Sequence, residues 1–419
     1  MINILKGTKD LLPQESYKWD KIDAEVLAVA RLFNLHKIAT PTFEHTELFL
    51  RGVGDTTDIV NKEMYTFEDK GGRSVTLKPE GTAGVVRSYI ENGLSQLPQP
   101  LKMYYQTPVF RYERPQAGRL REHHQFGVEI YGADTPAQDV EVMLIARTLF
   151  NRLGITGLEL HINSIGCPTC RKEYNAALRK YFASHEEELC PTCRDRLDKN
   201  PLRILDCKEE KCAAIAAEAP SVLDYLCEDC RNHHEGVKSL LTKVGIPYSV
   251  DDKIVRGLDY YTKTVFEFVA GNIGAKSTVC GGGRYNNLVE QMGGKPCPAV
   301  GFGMGIERLV LTMTALGCSF GEEPVPDIFL ANIGAADDAF LLTARLREEG
   351  IHAECDTMAR SLKSQMKLSD KLSAKFTAVI GESELAAGKV QVKKMSDGSE
   401  ESVEIARLSD YLKNKLKKA

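Results

Sequence analysis

Residues 256–268, with the sequence RGLDYYTKTVFEF, constrain the fold of this chain more than any other segment. An arginine, an aspartate and two adjacent tyrosines stand in a turn that glycine opens, and an apolar strand follows at once. Buried strands rarely begin among so many polar groups unless something polar is bound there. The segment therefore predicts a polar binding site at the start of a core strand.

Two further predicted strands, at 103–113 and 124–132, carry polar side chains on one face. Because residues two apart share a face of a strand, the first strand should present Arg111 with Glu113, and the second Gln125 with Glu129. Strands that border other strands favour an antiparallel sheet with flanking helices. The predicted fold class is therefore α+β.

Hydrophobic spacing predicts other elements in the same part of the chain. They are helices at 14–34 and 139–153, a hairpin at 63–78, a helix from about 82 to 92, and strands at 158–166, 250–257 and 261–269. The glycines at 281–283 and at 301, 303 and 305 do not match G-x-G-x-x-G. They predict tight turns and close backbone packing, so any bound ATP would need arginines and a sheet to hold it.

A linker rich in glycine, proline and glutamate at 317–327 precedes a change in rhythm. After it, strands alternate with helices, which is typical of a small α/β domain. We therefore predict two domains, residues 1–325 and residues 326–419, with a cysteine-rich insertion at about 167–235 in the first.

Composition narrows the class of protein. Hydrophobic residues make up 43% of the chain and charged residues 27%, as in ordinary globular proteins. No segment resembles a signal peptide or a membrane span, so we expect a soluble cytoplasmic protein. The net charge of −4 argues against nonspecific coating of nucleic acid, but it leaves open a grip on folded RNA through local basic patches.

Eight of the twelve cysteines crowd the insertion and include three C-x-x-C pairs. They are Cys167, Cys170, Cys190, Cys193, Cys207, Cys212, Cys227 and Cys230. In a cytosolic chain such pairs favour zinc or redox chemistry over structural disulfides, and tetrahedral zinc needs two pairs brought together. Reduced, partly buried thiols are an equally good interpretation. The residues alone decide neither whether a metal binds nor which four cysteines would hold it.

Several polar and aromatic residues are candidates for a site. The arginines Arg111, Arg119, Arg256 and Arg308 stand beside strands or glycine turns, where a guanidinium suits phosphate oxygens. Any one of them alone would more often form a surface ion pair. Acceptors suited to an ammonium group are Glu80, Thr82, Gln125 and Glu129, each of which alone is more often solvated or a helix cap. Tyr260 and Tyr261 would usually be half-buried packing residues.

Longer motifs in the chain resemble those of the class II aminoacyl-tRNA synthetases. FRYERPQAGRLREHHQFGVEIYG is similar to motif 2 of that class, AVGFGMGIERL to motif 3, and the region around Pro41 to the dimer-forming motif 1. RGLDYYTKTVFEF and GGGRY resemble the two peptides peculiar to histidyl-tRNA synthetases, and the chain is similar to the bacterial type of that enzyme. The resemblance extends from GTKDLLP into the C-terminal domain and covers the cysteine-rich insertion only loosely.

The resemblance implies an ATP site. Arg111 would hold the α-phosphate, Glu113 would lie near the adenine, and Arg119 and Arg308 would bind the far phosphates. Arg256 would contact both the α-phosphate and the attacking carboxylate. Arg256 and Arg111 are thus the implied catalytic residues, acting on ATP with Mg²⁺.

The resemblance also implies a histidine pocket. Glu80, Thr82 and Gln125 would bind the α-amino group, and Glu129 and Tyr260 would hydrogen-bond the two imidazole nitrogens. Tyr261 and Tyr285 would line the pocket.

The implied activity is that of a homodimeric histidine–tRNA ligase with a C-terminal anticodon-binding domain for tRNA(His). The alternative is the regulatory subunit of ATP phosphoribosyltransferase, a non-catalytic histidine-sensing paralogue. Such paralogues typically lack the C-terminal domain and have a degraded RGLDYY peptide, whereas both are intact here.

Overall fold

The computed structural model describes residues 2–54, 57, 59–116, 118–271 and 277–417. The chain divides into two compact units, Met1–Gly321 and Glu322–Ala419. The sequence places the boundary after residue 325, inside the linker at 317–327. Among the described residues, no helix has both the length and the hydrophobicity needed to cross a membrane.

The first unit contains eleven strands and ten helices among its described residues. In chain order they are α1 (Pro13–Leu32), β1 (His36–Lys37), β2 (Phe43–His45), α2 (Thr46–Val53), β3 (Tyr65–Glu68), β4 (Ser74–Leu77), α3 (Thr82–Glu91), β5 (Leu101–Phe110), β6 (Glu122–Tyr131), α4 (Pro136–Arg152), β7 (Leu158–Ser164), α5 (Pro168–Ala183), α6 (Pro191–Lys199), α7 (Glu210–Ala217), α8 (Glu228–Lys243), β8 (Ser249–Val250), β9 (Thr262–Ala270), β10 (Ser277–Arg284), α9 (Leu288–Gln291), β11 (Ala299–Gly305) and α10 (Ile306–Ala315). Short 3₁₀ segments include Pro201–Asp206 and Val222–Tyr225 in the insertion.

Eight of these strands form one sheet in the order β1-β5-β6-β11-β10-β9-β7-β8. The six central strands pair antiparallel, and only the two short edge strands pair parallel. This confirms the predicted antiparallel sheet and α+β class. Strands β2, β4 and β3 form a separate antiparallel sheet, which contains the predicted hairpin.

Alternation along the strands separates the two faces of the large sheet. Phe126, Val128 and Phe302 lie on the face that packs with α1, α4, α8 and α10 in the main hydrophobic core. Gln125 and Glu129 therefore lie on the opposite face. Those four helices cover one face, while the polar side chains lie on the other, beside α3 and α9.

Two expectations about the strands are wrong. The predicted strand at 250–257 is limited to Ser249–Val250, because Asp251 accepts hydrogen bonds from the backbone N–H groups of Lys253 and Ile254 and so turns the chain. Strand β5 ends at Phe110, so Arg111 and Glu113 lie in the loop beyond it. There the N–H of Glu113 bonds to the carbonyl of Arg111, which bends the chain before Pro115.

The glycine clusters also differ from the prediction of turns. Gly281–Gly283 lie inside β10, and Gly301, Gly303 and Gly305 lie inside β11. Gly281 pairs with Gly303 and Gly283 with Gly301 in the antiparallel ladder. The close-packing interpretation is the correct one, and its purpose is visible at the site.

The second unit is a five-stranded mixed sheet with the order β13-β12-β14-β15-β16. Its elements are β12 (Ile328–Ile333), α11 (Ala336–Glu348), β13 (Ala353–Cys355), α12 (Leu362–Lys371), β14 (Phe376–Gly381), α13 (Glu382–Ala387), β15 (Lys389–Lys394), β16 (Glu400–Glu404) and α14 (Leu408–Leu416). Strands β13, β12 and β14 are parallel, and the hairpin of β15 and β16 continues the sheet antiparallel. The predicted alternation of strand and helix is confirmed.

Candidate active site

Glycines form the floor of the polar face. A Cβ atom on Gly301 would lie 2.1 Å from Oε2 of Glu129, and one on Gly303 would lie 2.2 Å from Nε2 of Gln125. A Cβ on Gly281 would lie 2.3 Å from a guanidinium nitrogen of Arg256. Side chains from neighbouring elements can therefore lie flat on β10 and β11 only because these positions have no side chain of their own.

Glu129 is the centre of a buried hydrogen-bond network. Its side chain is 1% exposed, and one carboxylate oxygen accepts from Thr82 Oγ1 at 2.7 Å and from the Tyr105 hydroxyl at 3.1 Å. The other oxygen accepts from the hydroxyl of Tyr285. Burial raises the pKa of Glu129 to about 8 in spite of these donors. The group can thus gain or lose a proton near neutral pH and is a strong partner for a nitrogen heterocycle.

Glu80 caps the N-terminus of α3 beside this network. Its carboxylate accepts from the backbone N–H groups of Thr82 at 2.7 Å and Ala83 at 2.8 Å. The Oε1 atom of Gln125 accepts from the N–H of Gly81 at 3.0 Å. Burial raises the pKa of Glu80 as well. Three of the predicted acceptors are therefore brought together at one helix start, where an ammonium group would find oxygen atoms.

Three tyrosines form the wall of the same pocket. Tyr260, Tyr261 and Tyr285 are 4%, 5% and 1% exposed, which is more buried than the sequence suggests. The ring centroids of Tyr260 and Tyr261 lie 4.7 Å apart, and those of Tyr260 and Tyr285 lie 5.5 Å apart. Burial raises the pKa of each hydroxyl, so all three act as neutral hydrogen-bonding groups.

Arg256 lies on the glycine floor next to the tyrosines. Its guanidinium pairs with Glu267 on β9, and it lies 5.9 Å from the centroid of the Tyr261 ring. Its buried Nε has no hydrogen-bond partner among the described residues. Glu267 is held in turn by the Thr278 hydroxyl at 2.7 Å. The arginine is thus fixed through Glu267 while retaining a donor for an anion.

Two of the other predicted arginines, Arg308 and Arg111, lie at the same end of the strands of the large sheet. Arg308 donates to the carbonyl of Thr278 at 2.7 Å, so it is tied to the strand residue that holds Glu267. Arg111 donates to the carbonyl of Pro79 at 2.7 Å, directly before Glu80.

Glu113 lies between two of these arginines, 3.8 Å from Arg111 and 3.6 Å from Arg119. Burial, with Arg119 as a smaller cause, lowers the pKa of Arg308. Guanidinium groups gathered around one carboxylate can bind a polyanion.

Sequence reasoning missed several residues that build the site. Tyr105, Glu267 and Thr278 all contact the predicted side chains. Glu267 could have been found, because it is the one charged residue in the apolar strand segment VFEFV. Tyr105 and Thr278 carry no comparable signal, since their roles depend on strand register.

A second buried hydrogen-bond network, around Arg284 and Asp139, lies next to the pocket. Arg284 is fully buried and donates to Asp139 at 2.6 and 2.9 Å. The other oxygen of Asp139 bonds to His233 and to Thr264 Oγ1. This network joins α4, α8, β9 and β10 and fixes the residue that precedes Tyr285.

Comparison with known proteins identifies the family. The profile of the histidyl-tRNA synthetase family matches residues 7–309, and that of an anticodon binding domain matches residues 328–415. The chain belongs to the histidyl-tRNA synthetase family. It is 55% identical over 410 residues to the histidine–tRNA ligase of Acetivibrio thermocellus, covering 97% of this chain and 98% of that one. It is 54% identical to that of Caldanaerobacter subterraneus subsp. tengcongensis, covering 98% of this chain and 99% of the relative.

Solved structures agree with this assignment. The apo crystal structure of Staphylococcus aureus histidyl-tRNA synthetase is similar with a TM-score of 0.85 at 43% identity, covering 99% of this chain and 100% of that one. A Bacillus halodurans structure described as an ATP phosphoribosyltransferase regulatory subunit/histidyl-tRNA synthetase has a TM-score of 0.64 at 22% identity, with 91% and 98% covered. At that identity the likeness shows the fold alone. The predicted class of aminoacyl-tRNA synthetase is confirmed.

Proposed function

We propose that the chain is a histidine–tRNA ligase, which activates L-histidine with ATP and transfers it to the 3′ end of tRNA(His). The observation that carries this proposal is the placement of Arg256 on the same glycine floor as the Glu129 network. A pocket for a nitrogen heterocycle and a cationic site for phosphate thus adjoin, as adenylation of histidine requires. Full-length similarity to histidine–tRNA ligases supports the same reading.

Histidine is proposed to bind in the pocket between Glu129 and the tyrosines. Glu129 and Tyr260 would each bond one imidazole nitrogen, and Tyr261 and Tyr285 would pack against the ring. The α-amino group would lie near the acceptors at the start of α3, which are Glu80, Thr82 and Gln125. Because another amino acid would leave these buried groups unpaired, discrimination on the order of 10⁴-fold or more needs no editing domain.

ATP is proposed to lie along the arginines, with Arg111 and Arg256 at the α-phosphate and Arg119 and Arg308 at the far phosphates. Glu113 would lie near the adenine. A carboxylate oxygen of histidine would attack the α-phosphorus, and the bond from that phosphorus to the departing pyrophosphate would break. Negative charge grows at phosphorus in this step. Fixed guanidinium groups therefore stabilise the transition state more strongly than they stabilise the bound substrates.

Magnesium is proposed to enter with ATP as part of the substrate, where it would neutralise phosphate charge. The site also holds carboxylate oxygens, the ligand type that Mg²⁺ prefers, at Glu113 and Glu267. The second step would transfer the aminoacyl group to a ribose hydroxyl of the tRNA. It requires no nucleophilic side chain.

The second unit is proposed to bind the anticodon region of the tRNA. Lys363, Lys367 and Lys371 recur every four residues on α12 and are exposed, so they form a cationic row on one face. Lys413 and Lys415 near the C-terminus instead pair with Glu349 and Glu401. We therefore favour α12 over α14 as the contact with RNA phosphates.

A homodimer in the cytoplasm is part of the proposal. Phe43 and Phe67, on the small sheet next to the Pro41 region, are 57% and 48% exposed. Large apolar side chains exposed on one small sheet fit a protein interface. Sedimentation of the purified chain should give twice the mass of one chain, and a monomer at micromolar concentration would contradict this part.

The activity is tested by histidine-dependent exchange of labelled pyrophosphate into ATP, followed by charging of tRNA(His). We expect exchange with histidine alone among the natural amino acids. Replacing Lys363, Lys367 and Lys371 by Glu should raise the KM for tRNA about tenfold and leave exchange unchanged, since the loss of phosphate contacts affects only the RNA. Replacing Lys413 and Lys415 by Glu is the matched control and should leave the KM for tRNA unchanged. Histidine binding without exchange would instead favour the sensing paralogue.

A further inference from the structure

The insertion collects its eight cysteines into two separate groups of four. The first cysteine cluster consists of Cys167, Cys170, Cys227 and Cys230, and the second of Cys190, Cys193, Cys207 and Cys212. Within each cluster the four Sγ atoms all lie within 4.8 Å of one another. The sequence alone cannot assign these groups, because the three C-x-x-C pairs could combine in several ways.

The distances between sulphur atoms fit a single tetrahedral ion. Four sulphurs at about 2.3 Å from a zinc ion lie about 3.8 Å from one another. Cys167 Sγ lies 3.6 Å from that of Cys170 and 4.0 Å from that of Cys227. In the second cluster, Cys190 Sγ lies 3.9 Å from that of Cys207. A disulfide would bring two sulphurs to about 2.0 Å, and all eight cysteines are free thiols.

We propose that each cluster binds one zinc ion through four thiolates. Both clusters have the closed four-sulphur ligand set of structural zinc sites, which leaves no open position for catalysis. Backbone N–H groups support the sulphurs: that of Cys227 donates to Cys170 Sγ at 3.1 Å and that of Cys190 to Cys212 Sγ at 3.2 Å. Such hydrogen bonds orient thiolate ligands and moderate their charge.

The helices of the insertion begin at the clusters. Cys167, Cys190 and Cys227 are the residues directly before α5, α6 and α8, and the second cysteine of each pair lies in the first helical turn. The positive ends of the helix dipoles therefore point at the sulphurs. The small hydrophobic core of the insertion is separate from the main core, and a region of this size commonly needs a metal or disulfide to hold it.

Both sites lie against the segment that contains Arg256 and the tyrosines. Next to the first cluster, Lys263 exchanges backbone hydrogen bonds with Ile165 and Gly166 at 2.8 and 2.9 Å, and its ammonium lies 3.0 Å from Asp229. The 3₁₀ segment that ends directly before Cys207 carries Arg203, which donates to Asp259 at 3.0 and 3.2 Å. Zinc in the two clusters would thus brace the segment at its C-terminal end and near its middle.

Metal analysis of the purified full-length chain tests the proposal. We expect two zinc ions per chain and, by X-ray absorption, four sulphur ligands at about 2.3 Å. Cys170→Ser and Cys212→Ser should each retain one zinc ion, whereas Cys318→Ser, outside both clusters, should retain two. If a variant does not fold, the absorption spectrum of the wild type still decides the ligand set.

Less than half a zinc ion per chain after preparation in reducing, zinc-supplemented buffer would overturn the proposal, as would iron in place of zinc. Removing zinc with a thiol reagent and chelator should speed hydrogen exchange of the amides at 256–263 at least tenfold, with no change in β15 and β16. Unchanged exchange at 256–263 would overturn the bracing role.

Discussion

The polar face of the large sheet and the cysteine-rich insertion are held together in different ways. On the sheet, each functional side chain is positioned by strand register and by glycines on the next strand, as Gly301 positions Glu129. In the insertion, helices begin at thiol clusters, and the second cluster is part of a small separate core. One added methyl group can therefore displace a functional side chain on the sheet. The structure of the insertion instead depends on the ligand that its thiols bind.

Within the histidine pocket, the largest effect is expected from Glu129→Gln. The amide retains one acceptor oxygen but loses the second, and it turns a donor towards Tyr285 or Thr82, which already donate to this side chain. We expect kcat/KM for histidine in pyrophosphate exchange to fall about 100-fold, mainly through KM. Glu159→Gln, on an exposed strand position, is the control. An unchanged KM would remove Glu129 from the histidine pocket.

Gly301→Ala should disturb the same carboxylate without altering any polar group. The added Cβ would lie 2.1 Å from Glu129 Oε2 and 2.3 Å from the carbonyl of Val128. We expect a loss of about 1–3 kcal/mol in the free energy of unfolding and at least a tenfold loss of exchange activity. Gly271→Ala, where the nearest atom is 4.0 Å away, should change neither by more than a small amount. Equal effects of the two substitutions would contradict the role of the glycine floor.

The raised pKa of Glu129 predicts the direction in which stability changes with pH. Between the usual carboxyl pKa and about 8, the folded state holds a proton that the unfolded chain has released. The contribution is therefore present at low pH and is lost as pH rises towards 8, by at most about 1.4 kcal/mol per pH unit. Urea unfolding at about pH 5 and pH 8 should show a smaller decrease for Glu129→Gln than for the wild type. Parallel decreases would contradict the buried, proton-holding carboxyl.

The smallest effect is expected where the two regions meet. Arg203→Gln breaks the ion pair with Asp259 without touching a cysteine. Zinc content should stay unchanged, and exchange activity should fall severalfold, because the loss of one partly buried, hydrogen-bonded ion pair costs about 1 kcal/mol. Activity equal to wild type would show that the insertion does not position the 256–263 segment.

The comparison also shows what the sequence can reveal. Gln125 and Glu129 could be placed on one face from their spacing, and the RGLDYY segment could be placed at a strand start, because both depend on local periodicity. Tyr105 and Thr278 could not, since they meet Glu129 and Glu267 only through the pairing of β5 with β6 and of β9 with β10. The sequence could not place Gly281 and Gly303 in strands either. Glycine commonly marks a turn, and only the side chain packed over it from a neighbouring element explains a glycine within a strand.

For the cysteines, the sequence reveals the C-x-x-C pairs but not how they combine. Spacing alone reveals the pairs, yet their division into two clusters depends on how α5, α6 and α8 converge. Cys207 and Cys212, which do not form a C-x-x-C pair, complete the second cluster.

The most direct test of the account is histidine-dependent pyrophosphate exchange by the wild type, Arg256→Ala and Arg345→Ala. Arg345 is an exposed arginine of the second unit and serves as the matched control. Removing a preorganised cationic group from the reacting phosphate should lower exchange about 10²- to 10³-fold, while Arg345→Ala should match the wild type. Exchange by Arg256→Ala within about twofold of the wild type would contradict the placement of adenylation on the glycine floor, and no exchange by the folded wild type would contradict the ligase itself.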